Sequence, residues 1–481
     1  MDWRVFRPGR NCWQVLQADN AAIVVDGGPY FAHLEDALRQ ARQSILIVGW
    51  DFDGRIRLRP DLDPAESPPI GELLHSLVAA RPELQVRILV WSLAVAHAPG
   101  AVMPLLLGAA WQEHPRIQVK LDTKHPIYAA HHQKIICIDD SLAFVGGIDL
   151  TIDRWDRPEH LPGDPLRADP DGVLHPPVHD LQMVVDGAAA KAVCALGRER
   201  WRRATGEELD GCDERPGVWP SGLRPDFHGV PVAISRSGPA WGQEPALQET
   251  AALTADALAA ARETIYIEAQ YMTASYVGDV LCRSLARQEG PEVIVLMTHK
   301  SRGFLEQLIM GLNRDRLIRR LKRADRFGRL RIWYPQIDAK DGAQQQILVH
   351  SKLIIVDDLF IRVGSSNLNN RSIGLDTECD LAIEASEGDA RRAIIRVRDQ
   401  LLAEHTGSDP GTVARTIAET GSVIAAVERL NTGPRRLCAF EAMSATGAAR
   451  PVFGTRLLDP KRPFEPLWFL RRKNRGPHAA G

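Results

Sequence analysis

The sequence predicts an α/β protein built from two duplicated αβαβα sandwich halves. Each half has a mixed or parallel sheet, the two stand in a pseudo-two-fold arrangement, and a C-terminal extension follows. Three observations predict it. First, the pattern H-x-K-x-x-x-x-D occurs twice, from His132 to Asp139 and from His350 to Asp357, each with a glycine seven residues further on (Gly146, Gly364). Second, each copy encloses a continuous apolar run, Ile135-Ile136-Cys137-Ile138 or Leu353-Ile354-Ile355-Val356, which suits a strand buried on both faces. Third, Ala41-Arg42 before Ile45-Leu46-Ile47-Val48 matches Ala261-Arg262 before Ile265-Tyr266-Ile267-Glu268 at an offset of 220, against 218 between the two histidines. An offset held nearly constant across each half marks an internal duplication.

In chain order, the first half opens with a helical pattern over 33–43, then the strand 45–48, closed by Gly49-Trp50-Asp51. A helix and the strand Val86-Arg87-Ile88-Leu89-Val90 lead to the motif strand. Helices alternating with short β-branched strands predict helices on both faces of a largely parallel or mixed sheet. Residues 154–177 hold six prolines and read as a long loop. Beside the first motif that loop carries Arg154-Trp155-Asp156-Arg157-Pro158-Glu159-His160, and it is either a solvent-exposed insertion or the lining of a site entrance. The strand Val178-His179-Asp180-Leu181-Gln182-Met183-Val184-Val185 and a helix through Trp201 complete the half.

Gly-, Pro- and Asp-rich residues 206–232 read as a linker, which divides the chain into 1–205, 233–407 and an extension over 408–481. The second half repeats the order with Val293-Ile294-Val295-Leu296, a helix from about Phe304 to Ala324, the strand Leu330 to Tyr334 and the second motif. After Glu378-Cys379-Asp380-Leu381-Ala382-Ile383 a helix runs to about residue 404. In the extension, Gly407-Ser408-Asp409-Pro410 breaks the chain and Thr412 caps a helix to about Leu430. An irregular tail then sets Phe453, Phe464, Trp468 and Phe469 beside Arg471, Arg472, Lys473 and Arg475. Such a tail either packs its aromatics on its own domain or anchors the chain to an anionic membrane surface.

Composition narrows the function. The 481 residues carry 59 Lys plus Arg against 61 Asp plus Glu, so no general charge drives the chain toward nucleic acid. The seven cysteines are scattered without metal-ligand pairs and read as small core residues of a reduced compartment. The N-terminus lacks a positive-then-apolar signal pattern. No segment supplies the ~20 apolar residues of a spanning helix; the run Leu105-Leu106-Leu107 follows Pro104 and is too short. A cytoplasmic protein, soluble or peripheral at a membrane, is expected.

On a strand, residues two apart share a face, so His132 points with Lys134 and His350 with Lys352. A single such pair is usually structural. Two copies on matching strands can instead converge two imidazoles and two ammonium groups on one anion. Histidine is a usable nucleophile near neutral pH, and a second histidine can be a general acid. The lysines supply fixed positive charge for a phosphoryl group in its transition state. Asn367, beyond Gly364-Ser365, adds a side-chain donor. These parts suit phosphodiester cleavage through a covalent phosphohistidine without metal or other cofactor. Asp139 and Asp357 each lie seven residues past their histidines, an odd number, and so face away and serve the strand end. The carboxylate that orients each imidazole must come from elsewhere; the candidates are Asp180, 48 past His132, and Glu378, 28 past His350, one in each half.

The doubled motif is similar to that of the phospholipase D superfamily, over roughly residues 20 to 405. The resemblance implies that His132 attacks phosphorus, that His350 protonates the leaving alcohol and then activates water, and that the carboxylates at Asp180 and Glu378 hold the histidines. Gly147 and Asp149 stand where the full pattern has Ser and Asn, and with the 154–160 stretch they resemble the phospholipid-cleaving branch shared with eukaryote-type enzymes. Gly147, Asp149, Gly364 and Ser365 are therefore expected as structural parts of the motif. Glu268-Ala269-Gln270-Tyr271 resembles the strand end that reaches the site, with Trp50 its counterpart, so Trp50, Glu268, Gln270 and Trp155 are expected to bind substrate. The implied function is a phospholipase D on glycerophospholipid headgroups, with a cardiolipin or phosphatidylserine synthase as the alternative and a nuclease behind both. The implied partner is phospholipid at a membrane surface and not nucleic acid. Both motifs in one chain imply a monomer.

Overall fold

A computed structural model of the chain describes residues 4–91, 109–126, 129–213, 217–242, 244–299, 304–339, 342–440 and 448. The apolar run 105–107 and the aromatic-basic tail lie outside the described residues. No helix among the described residues is long and apolar enough to cross a membrane.

The first half contributes β1 (Gln14–Val25), β2 (Ser44–Gly49), β3 (Gln85–Trp91), β4 (Ile117–Asp122), β5 (Ile135–Ile138), β6 (Leu142–Gly146), β7 (Val178–His179) and β8 (Leu181–Asp186). The second contributes β9 (Phe227–Gly238), β10 (Leu247–Gln248), β11 (Thr264–Ala269), β12 (Glu292–Met297), β13 (Leu330–Asp338), β14 (Gln344–Gln346), β15 (Leu348–Val349), β16 (Lys352–Val356), β17 (Phe360–Gly364) and β18 (Glu378–Glu384). The extension adds β19 (Arg435–Ala439). The main ladder runs β4-β3-β2-β5-β6-β8-β1-β9-β18-β17-β16-β11-β12-β13. Read from either end it gives the same succession. Two parallel pairings come first (β2–β3–β4, β11–β12–β13) and antiparallel ones follow inward. At the centre β1 lies antiparallel to β9, from Gln14 opposite Ile234 to Ala21 opposite Phe227, which is what a two-fold axis between equivalent strands requires.

The continuous apolar runs are explained by burial on both faces. Along β2, Leu46 and Val48 enter the core shared by both halves, whereas Ile45 and Ile47 pack under the helices 27–40 and 70–80. In the second half Leu353 and Ile355 enter the same shared core, while Ile354 and Val356 face the outer one. The helices Gly187–Thr205 and Gly388–Thr406 also deliver their apolar stripes to the shared core.

Four expectations are corrected. The segment 178–185 is broken at Asp180 into β7 and β8. The linker 206–232 contains the start of β9, a central strand whose opening residues include Gly229 and Pro231, both of which read as loop. The extension over 408–481 is not separate, because β19 pairs with β13 as an added sheet strand. Its helix is capped by Asp409, whose carboxylate accepts from the Thr412 N–H at 2.9 Å, and it ends at Gly421 (φ 67°) before a second helix, Val423–Leu430.

Candidate active site

Both motif histidines sit where the lead-in to a motif strand runs beside the other half. The N–H of His132 donates to the carbonyl of Thr377 at 3.0 Å, one residue before Glu378. The N–H of His350 donates to the carbonyl of His179 at 2.8 Å, one residue before Asp180, and β15 pairs in parallel with β7 just upstream. This decides which carboxylate meets which imidazole. His132 Nδ1 lies 2.9 Å from Glu378 Oε2, and His350 Nδ1 lies 2.6 Å from Asp180 Oδ2. The assignment of each carboxylate to the histidine of its own half is therefore wrong: the pairing is crossed. Sequence distance within a half carried no information about the lead-ins, which the two-fold arrangement exchanges.

Glu378 is fully buried and accepts from the Ser365 and Ser372 hydroxyls, each at 2.6 Å. In the first half Gly147 stands where Ser365 does, and a Cβ there would come within 2.1 Å of Asp180 Oδ1. The glycine makes room for the carboxylate. Gly364 likewise admits Asp380, whose Oδ1 would lie 2.1 Å from an added Cβ.

The lysines are buried too. Lys134 Nζ reaches Asp149 Oδ2 at 3.0 Å and the His132 carbonyl at 3.1 Å. Lys352 Nζ donates to the His350 carbonyl and to Gln270 Oε1 at 3.2 Å, and lies 3.3 Å from His350 Nδ1. Asn367 occupies the place of Asp149, and its buried Oδ1 has no hydrogen-bond partner among the described residues. Burial pulls Lys352 down to about 8, against the opposing pull of Asp180. Burial first, then Lys134 and Lys352, hold His132 well below its usual value. Burial, then Lys352 and Arg154, do the same to His350. Burial pushes Glu378 up to about 7 and also raises Asp180. Neutral imidazoles with an oriented Nδ1 leave Nε2 as a lone pair, the form a nucleophile needs.

Asp139 and Asp357 lie away from the histidines. Asp139 accepts from the N–H groups of Arg42, Gln43 and Ser44 at 2.7, 2.7 and 2.8 Å. Asp357 accepts from Arg262, Glu263 and Thr264 at 2.8, 2.8 and 2.9 Å. Both have left-handed backbones, φ 51° and 53°.

Of the four expected substrate-binding residues, Gln270 reaches a lysine, Trp50 reaches the aspartate that pairs with the other lysine, and two do neither. Gln270 touches Lys352, and the Trp50 N–H donates to Asp149 at 2.9 Å while its ring packs on Trp91. Trp155 is instead a core residue under the helices of the first half. Glu268 is buried among His179, Tyr266 and His405, at 2.9, 2.5 and 3.1 Å. Its neighbour Ala269 pairs with Lys352, so Glu268 takes the opposite face of β11 and enters the contact between halves.

Two features escaped sequence reasoning. Arg154 is a charge that acts on His350, Asp180 and Lys352. The second is a buried cluster of Asp26, His160, His179 and Glu404, joined through His179 to Glu268 and His405. Burial opposes charge at His160, but Asp26, Asp156 and Glu404 overcome it and push the imidazole up to about 10. Its members are spread from residue 26 to residue 404, so no local spacing could announce it.

Comparison with known proteins places similar sequences around this geometry. The family described as "Cardiolipin synthase, PLD-like domain" matches residues 255–395. Phospholipase D gamma 2 of Arabidopsis thaliana is 31% identical over 229 residues, which is 37% of this chain and 26% of the relative. Phospholipase D A of Dictyostelium discoideum is 24% identical over 477 residues, covering 81% of this chain and 36% of the relative. The chain thus spans about a quarter to a third of the length of these relatives. Among solved structures, the phosphatidylserine synthase of Haemophilus influenzae Rd KW20 superposes with a TM-score of 0.53 over 89% of this chain and 90% of that one, at 13% identity, a likeness of fold.

Proposed function

The chain belongs to the phospholipase D superfamily, and from that premise we propose that it cleaves the phosphodiester of glycerophospholipid headgroups through a covalent phosphohistidine. One observation carries the reading: two imidazoles, each held at Nδ1 by a buried carboxylate of the other half, stand beside two buried lysines. His132 Nε2 attacks phosphorus, forming the P–N bond as the P–O bond to the headgroup breaks. His350 gives its proton to the departing oxygen. The incoming phosphodiester anion offsets the neighbouring cations and so lets His350 hold that proton, which burial, then Lys352, Arg154 and Lys134, otherwise discourage. His350 then takes a proton from water, which attacks phosphorus and frees His132 and phosphatidic acid. The lysines stabilise the charge that builds on the phosphoryl oxygens. No step requires a metal. The chain acts as a monomer, cytoplasmic or peripheral at a phospholipid surface.

A phosphatidyltransferase is the second reading, favoured by the cardiolipin-synthase family match over 255–395; there an alcohol replaces water in the second step. Purified protein is to be assayed, both with and without chelator, against a panel of phospholipids and a simple phosphodiester, with and without glycerol or serine. Phosphatidic acid release supports hydrolysis, and a new phospholipid only when an alcohol is added supports transfer. Cleavage of nucleic acid with no attack on any lipid would sink both.

A further inference from the structure

We propose that Asp26, His160, His179 and Glu404 bind one divalent first-row transition ion, with zinc the representative, and that this ion pins the two halves together behind Asp180. The proposal goes beyond the lipid chemistry and does not depend on it.

All four side chains are buried, and their donor atoms lie within 4.8 Å of one another. His160 Nε2 is 3.1 Å from Glu404 Oε1 and 3.6 Å from Asp26 Oδ2; His179 Nδ1 is 2.7 Å from Glu404 Oε1 and 3.0 Å from Asp26 Oδ1. Tetrahedral zinc with bonds of ~2.0–2.1 Å sets its ligands roughly 3.3 Å apart. The spacings bracket that value. His160 Nε2 and Glu404 Oε1 share a hydrogen bond, but among the described residues His179 Nδ1 and Asp26 Oδ2 have no hydrogen-bond partner, so the short contacts of these two atoms come without the directions a hydrogen bond needs.

Behind each imidazole stands a carboxylate on the other nitrogen. His160 Nδ1 meets Asp156 Oδ2 at 2.8 Å, and Asp156 is held by Arg167 at 2.9 Å. His179 Nε2 meets Glu268 Oε2 at 2.9 Å, and Glu268 is held by Tyr266 and His405. A carboxylate there takes the N–H and turns the lone pair forward, the arrangement that orients metal-binding histidines. Two nitrogen and two oxygen donors suit zinc and its neighbours and not calcium or magnesium, which take oxygen. With four protein ligands and no exposed member the site is closed, hence structural.

Three ligands come from the first half and Glu404 from the second. His179 precedes Asp180, and the Asp26 N–H donates to the Asp180 carbonyl at 2.8 Å. An ion here would fix the backbone that aims Asp180 at His350. The competing arrangement is a set of doubly protonated imidazoles shared between the carboxylates, which needs no metal.

The full chain, purified without metal-affinity steps from zinc-supplemented medium, is to be analysed by elemental mass spectrometry and thermal melting. About one equivalent of metal is expected, lost in His160→Gln and Glu404→Gln. Stripping should lower the melting temperature and zinc restore it, while cobalt should give the visible bands of a four-coordinate site. Should the ligand variants fail to fold, Asp156→Asn keeps the four donors and should weaken zinc about 10–100-fold. Less than a tenth of an equivalent, with melting indifferent to zinc and chelator, overturns the site in favour of the protonated network. Either result leaves the phosphohistidine reading standing or falling on its own assay.

Discussion

Lys134 and Lys352 hold equivalent places in the two halves, yet their neighbours differ in charge. Lys134 faces the carboxylate of Asp149 at 3.0 Å; Lys352 faces the neutral Gln270, and neutral Asn367 stands where Asp149 would be. The carboxylates that hold the histidines differ in the same sense. Glu378 is longer and supported by the Ser365 hydroxyl, whereas Asp180 is shorter and occupies the space Gly147 leaves. A departure from the doubled motif is therefore not a loss. The small residue at 147 or 365 is chosen by the carboxylate that must pass it, and the acid at 149 gives Lys134 an ion-pair partner where the second half has the neutral Asn367.

The largest effect that could break this comparison lies at the histidines. His132→Ala should abolish the phosphoenzyme and reduce turnover by about 10⁴-fold or more. His350→Ala should slow formation of the intermediate and block its release. A labelled phosphoryl group trapped on His350, and none on His132, reverses the roles. Next come the crossed carboxylates, each worth about 10²–10⁴ in kcat because tautomer and orientation are lost. Asp180→Asn should then behave as a weak His350 variant and accumulate phosphoenzyme, and Glu378→Gln should behave as a weak His132 variant with a near-native melting temperature. The opposite assortment would show pairing within halves. Lys134→Ala and Lys352→Ala should cost about 10²–10³ each.

The pH profile sharpens the comparison further. Below about 7 Glu378 takes up a proton and no longer accepts from His132, so kcat/KM falls on the acid side; above about 8 Lys352 loses its charge, so it falls on the alkaline side. Glu378→Gln should remove the first limb. Asn367→Asp, which gives Lys352 the neighbour Lys134 has, should move the second to higher pH. Stability runs the other way. Because the folded value of Glu378 is raised above the ~4.3 of an unfolded glutamate, its contribution is present at low pH and lost as pH rises toward about 7. The melting temperature of the wild type should therefore fall over that window more than that of Glu378→Gln. The smallest effect on chemistry belongs to Asp357→Asn, which should lower melting by several degrees and leave activity per folded molecule little changed.

The paired histidines, lysines and motif aspartates were legible from the doubled pattern itself, although His132, Lys134 and His350 precede their strands and Asp139 and Asp357 follow them. A run apolar at every residue told of two buried faces; Asp139 and Asp357 do lie away from the site, but they sit past the strand ends in left-handed turns, so it is the turn and not strand parity that directs them. What could not be read depends on the contact between halves. The crossing of Asp180 and Glu378 follows from where 129–132 and 347–350 lie, and no spacing encodes that. Glu268 was misplaced although parity was available, since it shares a face with Tyr266, which packs in the shared core. Trp155 was misplaced because a Pro-rich loop suggested exposure for a residue that is packed into the core with the first-half helices. The strand β9 was hidden by Gly229 and Pro231, tolerable there because its neighbours supply the ladder.

Under the proposed phosphohistidine chemistry, the crossed carboxylates also bear on when, during synthesis, the site is first assembled. A nascent chain that has cleared the ribosome as far as residue 370 already holds His132, Lys134, His350 and Lys352. It still lacks Glu378, so its His132 has no carboxylate on Nδ1. The first half cannot supply one by folding early, since its own Asp180 is committed to His350. The nucleophile is armed only when β18 closes onto β9, a pairing that joins residues some 140 positions apart. Fragments left by interrupted translation or by proteolysis between the halves should be silent for the same reason. The architecture thus makes competence a property of the finished molecule, with no inhibitory segment needed to enforce it.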